Sequence, residues 1–133
     1  MSVGKKIDVL GIGNAIIDVI ANADDTFLSN HNLNKGSMTL VDETVSKNIY
    51  ASMENKVQMS GGSAANTIFG ISQLGCKSAF IGKRSNDELG NIFHADLANS
   101  DIDFTTRPLD TGEPSARCLI LVTSDAERTM ATF

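Results

Sequence analysis

The sequence predicts an α/β fold with a mostly parallel central sheet, and three observations carry that reading. Short apolar runs alternate with stretches of helical period along most of the chain. Glycines stand at the junctions, at 11, 13, 61, 62, 75 and 82. The remaining short runs lack intervening helices of crossover length, so a small second β-sheet is expected beside the main one.

The elements follow in order. Lys5 to Gly11 reads as a buried strand, and Gly11-Ile12-Gly13-Asn14 as a turn. Ala15 to Ala23 continues as a strand with Ile17, Val19 and Ala21 on one face. Asp24-Asp25 opens a short helix that ends near His31-Asn32, and Ser37 to Val41 is a short strand. Asp42 caps the next helix, where Val45, Ile49 and Met53 recur at helical spacing. Ser63 is the expected cap of a helix with Ala64, Ile68 and Ile71 on one face and Gly75 just past its end. Lys77 to Gly82 is a strand, and Asn86 is expected to cap a helix carrying Leu89, Phe93 and Leu97. Ile102 to Thr105 and Ala116 to Thr123 are strands; Ser124 to Glu127 turns the chain into a return strand from Arg128 to Phe133.

Composition narrows the function classes. The 133 residues allow one compact domain, with 41% hydrophobic and 20% charged residues. A net charge of -5 argues against a nucleic-acid partner. No apolar run reaches the roughly 18 residues of a membrane span. The start of the chain does not read as a signal peptide, and Cys76 and Cys118 have neither CxxC nor metal-ligand spacing, so a cytoplasmic protein with reduced thiols is expected. His31 and His94 are isolated, so no metal site is expected.

Three clusters carry the candidate chemistry. Gly61-Gly62-Ser63-Ala64-Ala65-Asn66 brings backbone amides and the start of a helix close to a polar ligand, or else makes a tight turn. Asp18 interrupts an apolar strand, where a carboxylate is costly unless paired; with Asn14 it could grip neighbouring hydroxyls, or it could face solvent on an edge strand. Gly82 to Gly90 places Asp87 at a helix start as a cap, with Lys83 and Arg84 in solvent. Gly11-x-Gly13 is not a dinucleotide fingerprint, because Ile16 stands where the third glycine belongs. Gly82-Lys83 is followed by Arg84, which rules out a phosphate loop.

In this order the clusters are recognisable. The chain resembles the ribokinase or PfkB-type carbohydrate kinases, especially their adenosine-kinase-like branch. The resemblance rests on Gly11-Ile12-Gly13-Asn14 with Asp18, Gly61 to Asn66, Leu74-Gly75, Gly82 with Asp87 to Gly90, and Asp125 to Met130. It implies ATP- and Mg²⁺-dependent phosphoryl transfer to a hydroxymethyl group of a sugar or nucleoside. Asn14, Asp18, Gly61, Gly62, Ser63 and Asn66 would bind that acceptor. The segments near 15–23, 37–41, 116–123 and 128–133 would form a lid, with Leu40, Arg117 and Phe133 as candidate lid contacts.

The resemblance also implies an omission. The family's catalytic aspartate lies in an Asp-Thr-x-Gly-Ala-Gly-Asp segment that this sequence lacks, together with the ATP-binding residues. The chain is therefore expected to be an N-terminal fragment, residues 1–133 of one kinase domain. It should be inactive alone and hold no tightly bound cofactor. A homodimer through lid strands is a further expectation, motivated by an exposed edge in Ala15 to Ala23. The competing reading is a non-catalytic module that binds a small molecule or a partner on the same fold.

Overall fold

The computed structural model describes residues 6–133, so Lys5 of the first expected strand lies outside it. In chain order the elements are β1 (Val9–Ile12), β2 (Ile16–Asn22), α1 (Asp25–Asn30), β3 (Met38–Leu40), α2 (Glu43–Ser52), β4 (Val57–Gly61), α3 (Ser63–Gln73), β5 (Ser78–Ile81), α4 (Glu88–Asn99), β6 (Ala116–Val122) and β7 (Arg128–Thr132). They form two compact units. The first comprises the residues up to Ile17 together with Ser60–Ser115; the second comprises Asp18–Met59 and Ala116–Phe133.

The first unit is built on β1 and β5, which pair in parallel with Val9 opposite Ser78 and Ile12 opposite Ile81. Ile102 to Thr105 adds only a parallel bridge, Asp103 to Ala79, rather than the expected strand. Helices α3 and α4 cover the face carrying Gly11 and Phe80. A Cβ at Gly11 would lie 2.4 Å from Ile68 Cγ1, so α3 sits directly on the strand. Phe80, Phe93 and Phe104 form a ring triangle with centroids 5.4–5.8 Å apart, at the favoured aromatic separation. Gly75 stands just past α3 with φ +89, as its sequence position requires.

The second unit holds a five-stranded sheet in the order β3-β7-β6-β2-β4. β6 and β7 are antiparallel, with Cys118 opposite Thr132 and Ile120 opposite Met130; β3 joins β7 in parallel. Val19, Ala21, Leu119, Leu121 and Ala131 point into its core, as period-2 alternation demands. Lys35 Nζ reaches Asp25 at 3.0 Å and Asp125 at 2.8 Å, tying the segment before β3 to the β6–β7 hairpin.

Several expectations need correction. The second sheet, expected to be small, has five strands against two in the first. β4 was not foreseen, because Val57 and Met59 alternate with Gln58 and Ser60 and the apolar members point outward. β2 is interior, flanked by β6 and β4, so Ala15 to Ala23 offers no free edge. On α2 the buried face is Ser46, Ile49 and Met53, while Val45 is exposed. Ser46 is drawn inward because Arg117 Nε donates to its Oγ at 2.8 Å.

Candidate substrate site

The start of α3 is uncapped by any side chain, unlike that of α4. β4 ends at Gly61, and Gly62 is the N-cap with φ 92 and ψ 136. Ser63, the expected cap, is instead the first helical residue; no side chain caps this helix and no acid lies in its first turn. Its first amides thus keep their donor capacity beside the positive end of the macrodipole. Gly62 is required on two counts. Its φ is unfavourable for other residues, and a Cβ would lie 2.9 Å from Ile16 Cγ2 and 3.0 Å from the Asn14 carbonyl.

These amides line a pocket of about 340 Å³ with Ile12, Gly13, Asn14, Ile16, Gly62, Ser63 and Ala64 around it. The fold therefore gathers Asn14, Gly62 and Ser63 from sequence positions almost fifty residues apart. Gly61 is buried at the end of β4, and Asn66 is exposed in the first turn of α3. Neither lines the pocket. A depression of about 350 Å³ in the second unit, beside Asp24, Phe27 and Glu54, converges on less: Asp24 already accepts from the Phe27 amide at 2.7 Å.

Asp18 belongs to the second unit. It is half-buried on β2, on the strand face opposite Val19 and Ala21. Burial raises its pKa, and it accepts no hydrogen bond among the described residues. Its carboxylate also raises the pKa of the Cys118 thiol, though burial is the larger cause there. Asp18 and Cys118 therefore share the open face of the sheet. The alternation and register put Ile120, Met130, Thr132, Met38 and Leu40 on that face too.

The other two candidate lid contacts lie elsewhere. Arg117 is buried on the helix-covered face, bonded to Ser46 and stacked over the Tyr50 ring at 5.5 Å. Phe133 exchanges backbone hydrogen bonds with Arg117 and lies under the same guanidinium at 5.9 Å. Of the three, only Leu40 is on the open face. Met38 and Met130, which face each other across β3 and β7, were missed because a β3 of three residues gives almost no periodic signal.

Three further carboxylates have structural work. Asp8 Oδ2 accepts from the Lys77 amide at 3.0 Å. Asp87 accepts from the amides of Gly90 and Ser115, each at 2.8 Å, so it, and not Asn86, caps α4. Thr123 and Lys35 hold Asp125 and keep its carboxyl well below the ordinary range. Arg84, expected in solvent, is only 8% exposed and donates to Asn91 Oδ1 at 3.1 Å. Cys76 and Cys118 are free thiols, and no group of three His, Cys, Asp or Glu among the described residues could hold a metal ion. No described helix is long and apolar enough to cross a membrane.

Residues 6–133 match the family model described as pfkB family carbohydrate kinase. The chain belongs to the PfkB family. Its fold is the α/β, ribokinase-like one. An adenosine kinase from Sinorhizobium meliloti is similar at 45% identity and a TM-score of 0.83, over 96% of this chain and 39% of that one. A probable sugar kinase from Rhizobium etli CFN 42 is 39% identical with a TM-score of 0.83, over 96% and 38%. The guanosine-inosine kinase of Escherichia coli K12 is 28% identical over 92% of this chain. This PfkB chain spans 30% of that curated relative's length.

Proposed function

We propose that this PfkB chain carries the acceptor-binding part of an ATP-dependent nucleoside kinase. The observation that carries the reading is Asp18: a half-buried carboxylate on an apolar strand, with no hydrogen-bond partner among the described residues. Such a group is costly to keep unless a ligand satisfies it, and two adjacent ribose hydroxyls match its two oxygens. Within the first unit, taken by itself, Asn14, the uncapped amides at Gly62 and Ser63, and Asn66 are offered as polar contacts for an acceptor. Gly61 sets the position of Gly62.

Within the second unit, the open sheet face of Met38, Leu40 and Met130 beside Asp18 suits an acceptor with a flat apolar base. The names of the Sinorhizobium and Escherichia relatives point the same way. A sugar acceptor is the second reading, favoured by the probable sugar kinase at 39% identity.

On this reading the phosphoryl-donor side lies outside the described residues. Asp8, Asp87 and Asp125 are committed to backbone or side-chain partners. On this reading ATP and its Mg²⁺ serve the longer kinases of the family, and this chain alone is expected to transfer no phosphate. Pairing of copies through the lid would use β3 or β4, the two edge strands of that sheet. A non-catalytic binding module remains the competing class.

Calorimetry with adenosine, ribose and fructose tests the acceptor reading. Adenosine should bind best, and Asp18→Ala should weaken it by about 1.5–3 kcal/mol, the range of charge-assisted hydrogen bonds. Equal binding by Asp18→Ala would return Asp18 to a solvated role. Extending the chain with a Gly-Ala-Gly-Asp segment should add ATP-dependent turnover; binding without turnover would favour the module.

A further inference from the structure

We propose that Asp96, on α4, is a positioning residue for the glycine junction that opens the α3 pocket. The inference deepens the acceptor reading and rests on it.

Gly61 and Gly62 follow one another where β4 passes into α3. Two successive glycines have many accessible backbone states, and each residue fixed costs about 1–2 kcal/mol of conformational entropy. The pocket uses only one of those states. Gly62 holds φ 92, and an added Cβ there would meet the Asn14 carbonyl at 3.0 Å, so the junction is seated against a residue with which it shares the pocket. A ligand that had to order the junction itself would bind more weakly, in proportion to the fraction of chains already in the right state.

The glycine pair is held from both ends. Downstream the hold is α3 itself, where the Asn66 amide donates to the Gly62 carbonyl at 2.9 Å. Upstream it comes from another helix. The Ser60 amide donates to Asp96 Oδ2 at 2.8 Å, thirty-six positions away in sequence. A carboxylate acceptor makes such a bond stronger than a neutral one.

Asp96 is well placed to act as an anchor. It lies one helical turn after Phe93 and directly before Leu97, both fully buried. Phe93 belongs to the aromatic triangle with Phe80 and Phe104, and Asp87 caps the start of the same helix. Burial of Phe93 and Leu97 holds α4 in place without the Asp96 bond. The effect of that bond falls instead on the residue next to the glycine pair. Asp96 does not line the pocket, so it acts through the Ser60 amide.

Calorimetry with adenosine and ¹⁵N relaxation on the 133-residue chain test the proposal, with Asp96→Ala, Asp96→Asn and Asp87→Ala compared. Asp96→Ala should weaken adenosine about tenfold, the loss when about a tenth of the chains keep the junction formed. It should also increase the motion of the Gly62 and Ser63 amides in the ligand-free chain. Asp96→Asn keeps an oxygen that can accept from the Ser60 amide, and should return the affinity to within about threefold of the wild type. Asp87→Ala should lower stability more than either, with adenosine affinity and the Gly62 amide unmoved. A carboxylate with a purely structural role would instead make affinity follow stability. Three results would overturn the proposal: an Asp96→Ala chain that binds adenosine as the wild type does, no recovery in Asp96→Asn, or a junction loosened as much by Asp87→Ala as by Asp96→Ala. The relaxation measurement needs no ligand. Failure of the acceptor reading, seen as no adenosine binding by the wild-type chain, is therefore distinguishable from failure of the anchor, seen as an unloosened junction in Asp96→Ala.

Discussion

Helices α3 and α4 both start after a glycine-containing junction, yet the chain finishes one start and leaves the other undone. At α4, Asp87 satisfies the Gly90 amide and also draws in the Ser115 amide, while Ser85 N–H donates to Ser115 Oγ at 2.9 Å. At α3, Gly62 has no side chain to offer, no acid follows, and a pocket opens onto the first turn. The difference separates a helix start whose donors are used by the protein from one whose donors are left open. A capped terminus has used its donors on the protein; an uncapped terminus beside a cavity keeps them for a ligand.

Substitutions at the two starts should therefore fail in different ways. The largest effect is expected at Gly90. A Cβ there would lie 2.2 Å from the Ser85 carbonyl and 2.6 Å from Ser115 Oγ. Gly90→Ala should cost about 3 kcal/mol or more of stability, the scale of severe overpacking, measured by urea denaturation. Asp87→Ala should cost about 2–3 kcal/mol, combining a lost cap with a buried amide left unpaired. Neither change should alter the α3 pocket directly. Gly62→Ala should cost less stability, about 1–3 kcal/mol for a strained φ, but should abolish acceptor binding in calorimetry. If binding survives, the α3 start is not the site.

Asp18 sharpens the comparison through pH. Its pKa is raised by burial, so the folded chain holds this proton more tightly than the unfolded chain does. Its contribution to stability is therefore present in acid and is lost as pH rises through that raised pKa. Acceptor binding should run the opposite way, because the carboxylate is the form that accepts from hydroxyls. Affinity should begin to fall above the ordinary aspartate pKa of about 3.9 as pH is lowered, and Asp18→Asn should flatten that dependence. The smallest effect is expected at Ser63. A true Ser cap loses about 1 kcal/mol on change to Ala, but Ser63→Ala should stay within about 0.5 kcal/mol because Gly62 holds the cap position.

Most of the element order was legible, because the core strands and helices have clean periods: Val19 and Ala21 on β2, Leu89, Phe93 and Leu97 on α4. What was not legible depended on tertiary partners. Ser46 turned inward because an arginine seventy-one residues away reaches it. Arg84 read as a surface cation and Arg117 as a lid contact, since a sequence does not show which long side chain the packing will bury. β4 escaped because its apolar residues point outward. The glycine pair and Asp18 were visible as chemistry, but the exchange of Ser63 for Gly62 at the cap turns on one backbone angle.

The central claim is that α3, and not α4, offers its first turn to a ligand. An amide NMR titration of the 133-residue chain with adenosine tests this most directly. Shifts concentrated at Asn14, Gly62, Ser63 and Ala64, with Glu88, Leu89 and Gly90 unmoved, are the predicted result. Shifts at the start of α4, or none at the start of α3 under saturating adenosine, would contradict it.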